Sequence, residues 1–465
     1  MIASRGPAKI EGAVRKDLSE RLRAIVKNAV AATEPRPALD APLRELTVEP
    51  DVRATSAHDL DGVADALGGR AIVDGNASLV VIDRVYEATQ SHGRWPIEQS
   101  RPRQNAPLDV FDATAAKAPF WASRPVFFDT ETTGLSGGAG TIAFLAGLGW
   151  FEDDGSFRVR QWLLTSQAGE RLMLRELGAA LDDASLLVSY NGRTFDVPLM
   201  DMRWAFHRQP SPFEDLPHFD MLPSARKLWS RREGAFDDAA ADGASSCSLS
   251  TLERDVLGFH RHDDVPGFEI PARYFQFLRT GDHRLLDGVL EHHRHDIVSL
   301  AVLMSYALRL VEHGPDMCRQ DHEVVALGRV YERGGDLGRA IEAFERASQS
   351  ADRYVRAHAF SRLGVLHRRA SRHDEAARAW QGVLEAAGGR RSLFPLERMA
   401  TEALAIHHEH RANDLDAAKK FAESMKKQAS GRAAADASHR LARLERKLSG
   451  EKKKGGSKAA PLWEP

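Results

Sequence analysis

Apolar residues fall into two kinds of pattern along this chain. Between Pro119 and His313, short apolar runs of strand length alternate with stretches of helical period; beyond Pro315 only the helical period remains. Pro125–Phe128, Thr141–Glu152, Ser156–Thr165 and Leu186–Tyr190 read as strands, the middle two joined by an Asp-Asp-Gly turn. Glu170–Leu181, Phe195–His207 and about Asp282–His313 read as helices. Strands interleaved with helices predict an α/β domain over residues 119–314, a sheet with helices on its faces. Residues 1–118 predict less. They begin charged, Ala-rich and broken by prolines, with one helix expected over Asp17–Thr33. Two β-prone runs, Ala71–Val73 and Ser78–Tyr86, flank an Asp-Gly-Asn turn, and Ser91–Pro107, with three prolines, reads as a linker or wrapping segment. This N-terminal segment is expected to be partly disordered.

The C-terminal helices repeat. Leu327, Gly328, Tyr331, Ala340 and Phe344 are echoed about 36 residues later by Leu363, Gly364, His367, Ala376 and Trp380. A third copy, Leu404, Ala405, His408, Ala417 and Phe421, follows a longer gap. Small residues where two helices approach and large ones that fill the gap suit stacked helical hairpins. Residues 317–447 thus resemble tetratricopeptide repeats, which implies a protein-binding platform; no copy ends in the family's closing proline. The tail, 448–465, with EKKKGGSK, is expected to be disordered.

Composition narrows the function. The chain has 465 residues, 43% hydrophobic and 28% charged, ordinary values for a globular protein of two or three domains. Its 64 Lys and Arg balance 66 Asp and Glu, so nucleic acid can be attracted only by a local patch. Two cysteines exclude a disulfide framework and a four-thiolate zinc site. The N-terminus lacks a signal-peptide core, and the apolar part of the longest uncharged stretch is too short to span a bilayer. A cytoplasmic protein with no membrane partner is expected.

Three acidic segments carry the candidate chemistry. Asp129 and Glu131, two apart at the end of a strand, present both carboxylates to one face. No Lys or Arg occurs between positions 125 and 157, so a divalent cation is the natural counter-charge. Asp196 follows a buried strand and an Asn-Gly turn at the start of a helix, a position that capping alone can explain. Asp296 lies deep in the long helix, where Asp is a poor residue, and His292 is one turn before it on the same face. GLSGGAGT lacks both the Lys of a phosphate-binding loop and a dinucleotide fingerprint.

Together the segments D-x-E, N-x-x-x-F-D and H-x-x-x-D resemble, in that order, the DEDD-type 3′→5′ exonucleases of the ribonuclease-H-like superfamily. CSLSTLERDVLGF and DVPGFEIPARYFQFLRTGD are similar to segments of its YprB-like branch, and the resemblance covers about Arg124–Glu312. It implies a mixed central sheet flanked by helices and a site for two ions, Mg²⁺ or Mn²⁺, with Asp129, Glu131, Asp196 and Asp296 as ligands. It implies hydrolysis of single-stranded nucleic acid from a 3′ end. Related subfamilies place His five residues, or Tyr four residues, before the last Asp. Here those positions are Glu291 and His292, so His292 is expected as the general base, with His293 and His295 as alternatives. By the same resemblance Leu135 wedges against the terminal base, and Asn191 and Phe195 contact sugar or base. ARKLWSRR sets Arg226, Lys227, Arg231 and Arg232 around Trp229, a pattern that suits stacking and phosphate attraction on a single strand. Asp220 is read as a support rather than a ligand. DNA or RNA, and exonucleolytic or endonucleolytic cutting, are left open. The rival expectation is a non-catalytic scaffold that binds a protein partner or nucleic acid.

Overall fold

The computed structural model describes residues 60–118, 120–134, 140–230, 247–428 and 431–449. The expected Asp17–Thr33 helix, Leu135, Arg231, Arg232 and the tail beyond residue 449 lie outside the described residues.

A seven-stranded sheet forms the centre. In chain order its strands are β1 (Arg70–Asp74), β2 (Ala77–Tyr86), β5 (Pro125–Thr132), β6 (Ala143–Phe151), β7 (Phe157–Leu164), β8 (Leu186–Ser189) and β9 (His218–Asp220), and in space they run β1-β2-β7-β6-β5-β8-β9. β1, β2, β7, β6 and β5 pair antiparallel, whereas β8 and β9 add in parallel beside β5. The sheet is therefore mixed, as expected. The sheet's pairing extends to residues before position 119. β1 and β2 close at Gly75 with its left-handed φ of 62°, and β2 is hydrogen-bonded along β7 from Leu79–Leu164 to Tyr86–Phe157. This hairpin belongs to the sheet because β2 buries Leu79, Val80, Val81 and Ile82 there.

Side-chain alternation along β5 sends Val126 and Phe128 to one face and Phe127, Asp129 and Glu131 to the other. The first face packs against α2 (Glu170–Leu181), α3 (Asp196–Phe206) and α6 (Ile270–Thr280), with Phe144 stacked on Tyr274 at 3.9 Å. The second is covered by the 30-residue α7 (Arg284–His313), whose Ile297 and Val298 meet Phe127 and Phe157. The proline-rich segment wraps rather than links. A short hairpin of β3 (Ser91–His92) and β4 (Trp95–Pro96) lays Trp95 on Tyr306 of α7, and Ile97, Leu108 and Phe111 enter the same core.

Seven described helices follow: α8 (Asp321–Gly334), α9 (Leu337–Ala347), α10 (Arg353–Arg369), α11 (His373–Ala387), α12 (Phe394–His410), α13 (Leu415–Gln428) and α14 (Gly431–Leu448). Consecutive helices pack on one another, and the recurrent small and large positions explain how. A Cβ on Gly328 would meet the Phe344 ring at 2.6 Å, and one on Gly364 the Trp380 ring at 2.5 Å. This region is not separated from the sheet. Tyr306 and Leu310 of α7 share one core with Leu327, Tyr331 and Phe344, and the Tyr331 hydroxyl donates to the Val311 carbonyl at 2.9 Å. No helix among the described residues is long and apolar enough to cross a membrane.

Candidate metal centre

Close approach of α7 to the sheet builds the site. Opposite Asp129 on β6 stands Gly147, where a Cβ would lie 2.4 Å from Cε1 of His293 and 2.5 Å from Cδ1 of Ile297. Without it the helix seats His293 fully inside, 0% exposed, with its Nε2 3.0 Å from the Asp129 carbonyl oxygen. The Gln161 amide donates to the Leu290 carbonyl at 3.0 Å and reaches His293 Nδ1 at 2.9 Å, which locks the ring. Burial pushes the His293 imidazole down to about 4, so it stays neutral. His293 thus pins helix to sheet. His295 packs edge-on against Phe259 with its Nε2 3.9 Å from Glu291 Oε1, and burial lowers it to about 4 as well.

One residue before His293, His292 faces the acidic groups. Its Nε2 lies 3.5 Å from Asp296 Oδ2 and 4.0 Å from Glu131 Oε1, and one ligating atom from each of these three residues falls within 4.8 Å of the others. Its Nδ1 meets Asp264 Oδ1 at 2.7 Å. An ionised carboxylate there favours the tautomer with the proton on Nδ1, which leaves Nε2 as an acceptor toward Glu131 and Asp296. Asp196 opens α3 beside them, accepting a hydrogen bond from Thr130 of β5.

The carboxylates repel one another. Asp129 is held well above the usual carboxylate range, first by burial and then by the charges of Asp296, Asp196 and Glu131. Glu131 is pushed up to about 8 by burial, with Asp296 and Asp196 adding to it. Burial raises Asp196 to about 6, against the opposing Thr130 hydrogen bond. Desolvated acids this close need a counter-charge that side chains supply only in part, and all-oxygen donors beside one imidazole suit a hard divalent cation. The residues fit such an ion.

Among the described residues, the Lys or Arg that pairs with this group is Arg261, in the loop ahead of α6. It donates to Asp296, to both oxygens of Glu253 (2.7 and 2.6 Å) and to Asp264 (3.4 Å). Glu253 begins a π turn, Glu253–Leu257, and also accepts from Ser299 of α7, whose hydroxyl lies 2.6 Å from His92 Nε2. Sequence reading missed Arg261, Glu253 and Asp264. The signal available was that Glu253 and Asp264 lie inside the two segments that carried the resemblance.

Other expected residues divide. Asn191 sits at a left-handed φ of 67° in the turn after β8, its N–H donating to Asp220 Oδ1 at 2.8 Å. Asp220 also accepts from the N–H groups of Arg193 and Leu222, so it holds this turn, as a support would. Phe195, next to Asp196, is 59% exposed. The expected strand-binding cluster does not stand. Trp229 is buried at the end of α4 (Met221–Trp229), stacked parallel to Tyr306 and donating its indole N–H to Glu323 of α8 at 2.9 Å. It has no face left for a base. Lys227 donates to the Phe111 carbonyl at 3.2 Å and is half-buried, and Arg226 alone of the three is exposed. The amphipathic period of α4 and its docking on α8 explain why this aromatic points inward.

A ribonuclease H superfamily profile matches residues 126–308, which contain all four carboxylates and His292. The chain is also 30% identical over 330 residues to YprB of Bacillus subtilis (strain 168), a match that takes in 70% of this chain and 75% of the relative. With a ribonuclease-H-like sheet and this extent of identity, the chain belongs to the YprB family of the ribonuclease H superfamily.

Proposed function

We propose that the protein is a metal-dependent 3′→5′ exonuclease that hydrolyses single-stranded nucleic acid. The observation that carries this reading is the mutual repulsion of four half-buried carboxylates drawn from β5, α3 and α7, with the Arg261 guanidinium among them. A non-catalytic fold gains nothing from holding such a cluster. In this reading Asp129, Glu131, Asp196 and Asp296 hold two Mg²⁺ or Mn²⁺ ions. When bound, such a pair lowers the pKa of an attacking water and stabilises the leaving 3′ oxygen. His292 keeps its Nε2 lone pair toward the same space, where it orients the water and accepts its proton. The exposed ring of Phe195 offers a base a stacking face beside Asp196, and the Asn191 turn lines the approach. The catalytic body comprises residues 119–314 together with β1 and β2, and the tetratricopeptide-like hairpins of 317–447 bind a protein partner in the cytoplasm.

The test is degradation of 5′-labelled single- and double-stranded DNA and RNA, with free and blocked 3′ ends, in Mn²⁺. Stepwise shortening from free 3′ ends, lost in Asp129→Ala, is expected. Activity that survives Asp129→Ala, or its absence with every metal and substrate, rejects the reading and favours the scaffold. Cutting of end-blocked strands would turn it to an endonuclease.

A further inference from the structure

The Arg261 side chain is 7% exposed, and its contacts use the geometry of the guanidinium in full. Nε and Nη2 grip the two oxygens of Glu253 side-on, the second Nη2 hydrogen reaches Asp296 Oδ1, and Nη1 faces Asp264 Oδ2 at 3.4 Å and His292 Nδ1 at 3.2 Å. Glu253, 1% exposed, is in turn fixed to α7 by Ser299. Burial opposes the charge on Arg261, but its hydrogen bonds to Glu253 and attraction to Asp296 raise its affinity for the proton further, so it is cationic at every working pH. One oxygen of Asp296 is therefore spoken for and the other, Oδ2, is turned toward His292 Nε2 and Glu131.

We propose that Arg261, braced by Glu253, is a positioning residue that orients Asp296 as a one-oxygen metal ligand and steadies the Asp264–His292 pair. The guanidinium does not touch substrate in this role. It selects which oxygen of Asp296 a cation can reach, and it cancels part of the repulsion that would otherwise turn the side chain away. The proposal rests on the reading of the acidic cluster as a metal site, but not on the nuclease activity.

Lysine separates charge from shape. Arg261→Lys keeps the cation and loses the fork, so electrostatic repulsion of an incoming ion is unchanged while the brace is gone. Calorimetric titration of the full-length protein with Mn²⁺ is expected to show about tenfold weaker binding in Arg261→Lys, the range typical of outer-shell partners. The Mn²⁺ electron-spin resonance line should broaden differently as the ligand geometry relaxes. Glu253→Gln, which keeps size but removes the charge that anchors the fork, should weaken binding in the same direction, and it carries the test if the lysine variant fails to fold. Mn²⁺ affinity within twofold of wild type in a folded variant, with an unchanged resonance spectrum, overturns the proposal, as does a wild type that binds no Mn²⁺. If wild type binds Mn²⁺ but cleaves nothing, the exonuclease reading fails and the positioning role is still decided by the affinities.

Discussion

Buried carboxylates occur at both ends of this molecule and are treated in opposite ways. In the C-terminal helices, Glu409 of α12 has a side chain with no solvent exposure, yet it accepts from Arg443 and Lys447 and pairs with Arg440 of α14. Burial alone would raise its pKa, but those hydrogen bonds hold it down to about 2. Glu332 of α8 is matched in the same way by Arg362 and Arg369 of α10. At the end of β5, the Glu131 side chain is 16% exposed and is pushed up to about 8, first by burial and then by the charges of Asp296 and Asp196. The partners set the sign: cations overcome burial at Glu409, whereas further acids add to it at Glu131. Where an acid fastens two helices, two or three cations surround it; around the acids of β5, α3 and α7, Arg261 is the one Lys or Arg among the described residues that pairs with any of them.

That contrast can be attacked directly. The largest effect is expected from Gly147→Ala, which places a methyl group against His293 and Ile297 and lifts α7 from the sheet. It should cost about 1–3 kcal/mol in denaturant unfolding. If nucleotide release occurs, it should fall by about 10²-fold, because Asp296 moves with the helix. Glu409→Ala should come next. It leaves three cations without their shared partner and should lower stability by about 2 kcal/mol, with α14 losing amide protection first and Mn²⁺ binding unaltered.

Glu131→Gln should act in the reverse sense. The folded protein keeps a proton on Glu131 up to about pH 8 that the unfolded chain releases near 4.5, so this group's stabilising contribution is present at low pH and is lost as pH rises through 8. The buried histidines, His92, His293 and His295, act oppositely but only below pH 6.5, where the unfolded chain takes up protons that they refuse. Metal-free melting temperatures should therefore decline between pH 6.5 and 8. Glu131→Gln should flatten that decline and gain a few degrees at pH 8, and Mn²⁺ should reverse it in the wild type alone. A wild-type profile that is flat without metal would mean the acids are compensated after all. Trp229→Phe should give the smallest change, about 1 kcal/mol from the unpaired Glu323 oxygen, with no loss of oligonucleotide binding.

Much of this was legible in the chain itself because periodicity reports burial. β5, β6, β7 and β8, helices α2, α3 and α7, and the Gly328–Phe344 and Gly364–Trp380 pairs follow from which positions are apolar, small or large. Asp129 and Glu131 share a face for the same reason. What periodicity does not convey is which distant groups meet. Arg261 lies 130 residues from Glu131 in an irregular loop, and nothing in its spacing marks it as the partner of Asp296. Trp229 misled in the opposite way. Cations around an aromatic look the same whether the ring faces solvent or, as here, closes on α8. β1 and β2 were recognised as strands, but a hairpin before a proline-rich stretch gives no sign of the sheet it will join.

Helix α7 is an unbroken rod that begins under the sheet, carries His292 and Asp296, and ends where Glu312 receives Arg339 of the following helices. From Asp296 to Glu312 it advances sixteen residues, about 24 Å at helical rise. Because its far half is packed into the same apolar interior as α8 and α9, the chain has no swivel at that junction. The hairpins are thereby held at a set span from the acidic cluster, and a push on one end is delivered to the other as a strut delivers load.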